Sequence, residues 1–77
     1  MELLQLTYFC DAARTENFSK TAKKYFVPTS NISQAVKRLE KELGCELFDH
    51  RANTVSLNAT GRQFYADVAQ GLSLLEG

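Results

Sequence analysis

A chain of 77 residues, 44% hydrophobic and 23% charged, has the composition of one small globular domain, and its core is too thin to enclose a large catalytic cleft. Nine cations against nine acids leave no net charge, which on the total alone argues against a polyanionic partner. No apolar run approaches the roughly 20 residues that cross a bilayer, and Met1-Glu2-Leu3-Leu4-Gln5 lacks the basic region of a signal peptide, so we expect a cytoplasmic protein with no membrane partner.

Leu3, Leu6, Phe9 with Cys10, and Ala13 recur at helical spacing, which predicts a first amphipathic helix over residues 2–16, ended by Asn17. Phe18-Ser19 reads as a hydrophobic residue followed by an N-cap. It opens a short second helix whose apolar face is Ala22, Tyr25 and Phe26 and which carries Lys20, Lys23 and Lys24. Pro28 forces Val27 into an extended conformation, so that helix stops near Phe26. A third helix starts within residues 28–30, with Thr29 or Ser30 able to cap it. Ile32, Val36, Leu39 and Leu43 make its buried stripe, and Gly44 closes it in the left-handed conformation.

Leu47-Phe48 is a short apolar anchor. Residues 49–54 read as a turn and Val55-Ser56-Leu57 alternates as a strand does, which together predict a small hairpin. Asn58 is placed to cap a last helix running from Ala59 to the end. Phe64 is set to face the body of the domain, while Tyr65, Val68, Leu72 and Leu75 form a heptad-like seam suited to a second copy of the chain. The expected architecture is all-α with a small β-hairpin wing.

The charge is unevenly distributed. Residues 17–39 hold Lys20, Lys23, Lys24, Lys37 and Arg38 and no acid, while both flanking regions are net acidic. A neutral chain can therefore present a basic face to phosphate, because charges are screened over about 8 Å at physiological salt. Cys10 and Cys45 sit far apart among apolar neighbours and are read as small buried hydrophobes. His50 is the only histidine, with no Cys or His at ligand spacing. We expect no metal, no cofactor and no catalytic residue: the chain offers neither a nucleophile–base pair nor a phosphate loop and is not read as an enzyme.

Two short helices joined by a tight turn at Val27-Pro28 form a helix-turn-helix. In that motif the first turns of the second helix enter the major groove, where small hydrogen-bonding side chains reach base edges that bulky ones would block. Thr29, Ser30, Asn31, Ser33 and Gln34 stand at that end. Lys37 and Arg38, one turn on, suit flanking phosphates, as do Lys20, Lys23 and Lys24. The competing reading is a winged-helix protein–protein interaction module, which calls for aromatic or Arg anchors where this helix has small hydroxylated residues.

Phe9, Ala13, Phe18, Thr21-Ala22, Val27, Ile32-Ser33, Val36, Leu39-Glu40, Leu43-Gly44, Leu47-Phe48, Val55, Leu57 and Gly61 stand at the spacings of the N-terminal DNA-binding domain of LysR-type transcriptional regulators. The segment ISQAVKRLEKELGCELF resembles that family's signature. The resemblance implies a winged helix-turn-helix over residues 1–58 and a linker helix over residues 59–77 that dimerises with its counterpart. It also implies a C-terminal domain, absent from this chain, that binds a small-molecule inducer in a tetrameric regulator acting on nearby genes. Base or backbone contacts to double-stranded DNA would then fall on Thr29, Ser30, Asn31, Ser33, Gln34 and Lys37, a phosphate contact on Arg38, and wing contacts on Arg51 to Asn53. The chain departs from the family pattern in places. Pro28-Thr29-Ser30-Asn31 stands where Ser-Gln-Pro-Ala is common, Gln34 where Arg is frequent, and His50 and Asn53-Thr54 where wings usually carry arginine.

Overall fold

The computed structural model describes residues 2–51 and 54–76, with side chains described from 2 to 51 and from 55 to 71. Its elements are α1 (Leu3–Thr15), α2 (Phe18–Tyr25), α3 (Thr29–Leu43), β1 (Phe48–Arg51), β2 (Thr54–Leu57) and α4 (Ala59–Glu76). No helix among the described residues is long and apolar enough to cross a membrane.

Helix α1 packs on α2, α3 and α4. Phe9 is fully buried, and its ring meets Phe48 of β1 at 5.7 Å and Phe64 of α4 at 5.2 Å between centroids. Phe18, the first residue of α2, stacks edge-on against the same Phe48 at 5.3 Å. The aromatic centre thus ties together α1, α2, the hairpin and the start of α4, and Ile32, Val36, Leu39 and Leu47 complete the core.

The helix boundaries follow from local chemistry. Helix α1 ends where Glu16 turns left-handed (φ 52°) and its N–H bonds the Ala12 carbonyl at 2.7 Å. The cap of α2 is Asn17, not Ser19: its Oδ1 accepts from Lys20 N at 3.0 Å, so Phe18 falls inside the first turn and is free to enter the core. Neither Thr29 nor Ser30 caps α3; Pro28 holds the N-cap position in extended conformation, and its carbonyl accepts from Asn31 N at 3.0 Å. Gly44 closes α3 at φ 74°, a left-handed conformation that glycine adopts without steric cost.

Two side chains sit elsewhere than the pattern suggested. Phe26 is not on the apolar face of α2. It becomes the left-handed C-cap (φ 56°) and is 96% exposed, because leaving the helix at that residue swings its side chain off the buried stripe, where Thr21 and Ala22 are buried instead. Cys45, just past the α3 cap, is exposed, whereas Cys10 is buried as expected.

The hairpin is longer than Val55 to Leu57 alone implied, since residues 48–51 pair antiparallel with 54–57, placing Phe48 opposite Leu57 and His50 opposite Val55. Its base is fastened to α3 through Glu40, whose Oε2 accepts from Leu47 N at 2.7 Å and Phe48 N at 3.4 Å. The start of α4 is fastened by Asn58: Oδ1 accepts from Gly61 N at 2.7 Å while Nδ2 donates to the Glu46 carbonyl at 2.9 Å. Tyr65 and Val68, half of the predicted seam, are partly buried against this domain's own core, and the side chains of Leu72 and Leu75 lie outside the described residues.

A Cβ built on Gly61 would lie 2.1 Å from the Leu47 carbonyl oxygen and 2.7 Å from a Leu57 methyl. Glycine is required here for close approach rather than for a turn. Although alanine is the better helix former by about 1 kcal/mol, Gly61→Ala is expected to destabilise the fold by more than about 2 kcal/mol, because backbone cannot yield as a side chain does. Urea titration of the two proteins checks it, and an equal or higher midpoint for the alanine variant would contradict the close contact.

Candidate nucleic-acid interface

The surface of interest is built on α3. Ile32, Val36 and Leu39 are 0–1% exposed, and with 3.6 residues per turn their burial turns Ser30, Gln34 and Lys37 to the opposite, outer face. Thr29, Ser30, Asn31, Gln34, Lys37 and Arg38 are exposed and Ser33 is half-buried. The open ridge that the polar stretch was expected to form is therefore present, and no aromatic residue stands on it. Asn31, Gln34, Ala35 and Arg38 also wall a shallow hollow of about 270 Å³ closed on its far side by Glu2, Leu4, Gln5 and Tyr8 of α1 and its cap.

The first turn of α3 contains no acid and takes no side-chain cap, which leaves the positive end of the helix dipole uncompensated within that turn. Helix α2 lies across α3 and contributes exposed Lys20, Lys23 and Lys24. Lys24 differs from the others: its Nζ donates to Asp11 Oδ1 and Oδ2 at 3.2 and 3.3 Å, so its charge is already partnered within the fold. In the hairpin Arg51 is exposed, and Asn53, the other predicted wing contact, lies outside the described residues.

Sequence reasoning counted Asp11 only as one more acid, yet it is 5% exposed and is the hub beneath α2. Arg14, the Lys24 ammonium and the Tyr25 hydroxyl all donate to its carboxylate, fixing α2 against α1. The Tyr25 ring also packs edge-on against Tyr8 at 5.0 Å. The signal was available, since an aspartate interrupts the otherwise apolar run Phe9 to Ala13, and a charge so placed must be paired if it is buried. Glu40 carried no comparable signal, because a glutamate in a charged helix reads as surface. Among the described residues no group of His, Cys, Asp and Glu could hold a metal ion.

Burial pushes the Asp11 carboxyl up, but the Tyr25 hydroxyl, Lys24 and Arg14 outweigh it and hold the group below the ordinary carboxylate value. Burial first, and then the bond to and charge of Asp11, push the Tyr25 phenol up to about 12. A depressed acid stabilises the fold above its unfolded pKa and loses that contribution as pH falls through the folded one; a raised phenol stabilises fully below about 10 and loses that between about 10 and 12. The melting temperature is therefore expected to fall on both the acid side, below about pH 4, and the alkaline side. Asp11→Asn should remove the acid arm and shrink the alkaline one, at a cost of about 2 kcal/mol at neutral pH, since Arg14 and Lys24 keep much of their solvation. Melting curves from pH 2 to 12 check this, and a wild-type-to-variant difference that stays constant across the range would contradict the linkage.

Comparison with known proteins bears on what this surface meets. Residues 3–62 match the model of the family described as bacterial regulatory helix-turn-helix protein, lysR family. The chain is 39% identical over 74 residues to the HTH-type transcriptional regulator BudR of Klebsiella aerogenes, covering 96% of this chain and 52% of that one. It superposes on the BenM DNA-binding domain in complex with catB site 1 DNA with a TM-score of 0.92 at 30% identity, covering 99% of this chain and 82% of that one. Its TM-score against the CbnR DNA-binding domain in complex with DNA is 0.91 at 32% identity, covering 99% and 87%. The chain spans about half the length of BudR from Klebsiella aerogenes and smaller shares of other curated relatives it matches.

Proposed function

Because the chain belongs to the lysR family of bacterial regulatory helix-turn-helix proteins, we propose that it binds duplex DNA sequence-specifically as the DNA-binding part of a transcriptional regulator. The observation that carries this is the small polar ridge on α3, held outward by the burial of Ile32, Val36 and Leu39 and bordered by the exposed cations Lys20, Lys37 and Arg38. A major groove admits an α-helix, and the similar BenM and CbnR domains were solved on DNA.

In this reading Asn31 and Gln34 bond base edges, with Thr29, Ser30 and Ser33 contributing base or backbone contacts. Lys37, Arg38 and Lys20 take phosphates, and Lys24 divides its charge between Asp11 and the DNA backbone. Arg51 and Asn53 carry the wing toward the backbone or minor groove. Residues 1–58 form the winged helix-turn-helix and residues 59–77 the linker helix, which joins a second copy through Tyr65, Val68, Leu72 and Leu75. In the whole regulator a further C-terminal domain would take the small-molecule inducer and support tetramers, and the protein would act in the cytoplasm without catalysing a reaction. A two-fold pair of such domains calls for an inverted-repeat operator.

Selection of bound oligonucleotides from a random pool, followed by titration of the selected duplex, tests this. Gln34→Ala is expected to relax the preference at one base pair by about 1–3 kcal/mol. Lys20→Ala should weaken all duplexes alike and reduce the log–log salt slope by about one. Salt-independent binding between about 50 and 200 mM, or identical effects of the two substitutions on every duplex, would falsify the assignment.

A further inference from the structure

Phe48 and Leu57 face each other at the base of the hairpin. Neither amide bonds across this pair; both point outward along opposite edges of the ribbon, as alternate pairs of an antiparallel ladder do. Each outward N–H is taken by a carboxylate. On one edge Phe48 N donates to Glu40 of α3, beside the shorter bond from Leu47 N. On the other, Leu57 N donates to Glu16 Oε2 at 2.9 Å, a contact spanning 41 positions of sequence.

Glu16 is an unexpected residue for its place. It ends α1 at φ 52° and ψ 36°, a left-handed conformation that glycine adopts freely and a residue with a Cβ does not. Backbone geometry alone favours glycine here. What glycine lacks is the carboxylate that reaches Leu57.

We infer that Glu16 is a positioning residue for the wing: with Glu40 it clamps the hairpin base from both edges and so sets the angle at which β1 and Arg51 stand to α3. A two-stranded ribbon has little stability of its own and owes its orientation to whatever grips its base. Phe48 seats the base of the ribbon in the core and Glu40 holds one of its edges; the second carboxylate, from the far end of α1, holds the other. This rests on the DNA-binding reading for its consequence but not for its geometry.

Glu16→Gly separates the two roles of the residue, because it suits the left-handed backbone while deleting the acceptor, and Glu16→Gln restores an acceptor without the charge. Amide hydrogen exchange by NMR on the free chain, and titration with the selected operator duplex, are made on all three proteins. In Glu16→Gly the Leu57 amide should exchange about tenfold faster while α3 amides keep their protection, and operator affinity should fall about three- to tenfold, with most of both losses recovered in Glu16→Gln. Unchanged exchange at Leu57 would overturn the clamp. Faster exchange there with undiminished affinity, or loss of protection throughout α3, would overturn the positioning role. If the wild-type chain bound no duplex, the proposed function would fail while exchange at Leu57 still decided the clamp.

Discussion

The burial of three aliphatic side chains, Ile32, Val36 and Leu39, is the constraint on which the rest of the interface depends. Thr29, Ser30, Asn31 and Ser33 each cost a few tenths of a kcal/mol as helix residues, whereas each buried aliphatic contributes about 1.5–3 kcal/mol. Packing therefore outweighs propensity, and a segment that is a poor helix by itself is helical in the domain. The same burial fixes rotation about the helix axis. A slip of one residue would turn the helix by about 100° and bury polar groups with no partners, so the identity of the outward residues is as well determined as the core.

Charge is organised in the same economical way. The chain is neutral, but the cations of residues 17–39 collect beside α3, and one buried acid, Asp11, braces α2 from below. Lys24 serves that brace, whereas among the described residues Lys20 and Lys37 have no acidic partner. A group of cations that looks uniform in sequence thus divides into one that holds the scaffold and others open to a polyanion.

Much of this was legible before any coordinates. The helices, the left-handed Gly44, the Asn58 cap and the inward Phe64 all follow from periodicity and capping chemistry, which act over a few residues. What was not legible depends on where a helix lets go or on partners far along the chain. Phe26 lies one residue past the end of α2, and helical periodicity placed it inside only by assuming one more helical residue. Asn17 and Ser19 are both good caps, and the choice between them was made by the core's demand for Phe18 against Phe48. Glu16 with Leu57, and Glu40 with Leu47, are pairings that no local pattern announces. The polar residues of α3 stand out because a helix face without apolar residues is conspicuous; the role of Asp11 does not, because two of its three partners, Lys24 and Tyr25, arrive from another helix.

Gly61 presses the first turn of α4 against the carbonyl of Leu47, and that same carbonyl receives the Asn58 N–H at 3.0 Å. There is no slack at this joint. Tilting the long helix by even a fraction of an ångström at its root must carry residue 47 along, and the adjoining strand with it. Whatever grips the distal end of α4 thus has a mechanical lever on the hairpin, transmitted backbone to backbone without an intervening side chain to absorb the stroke.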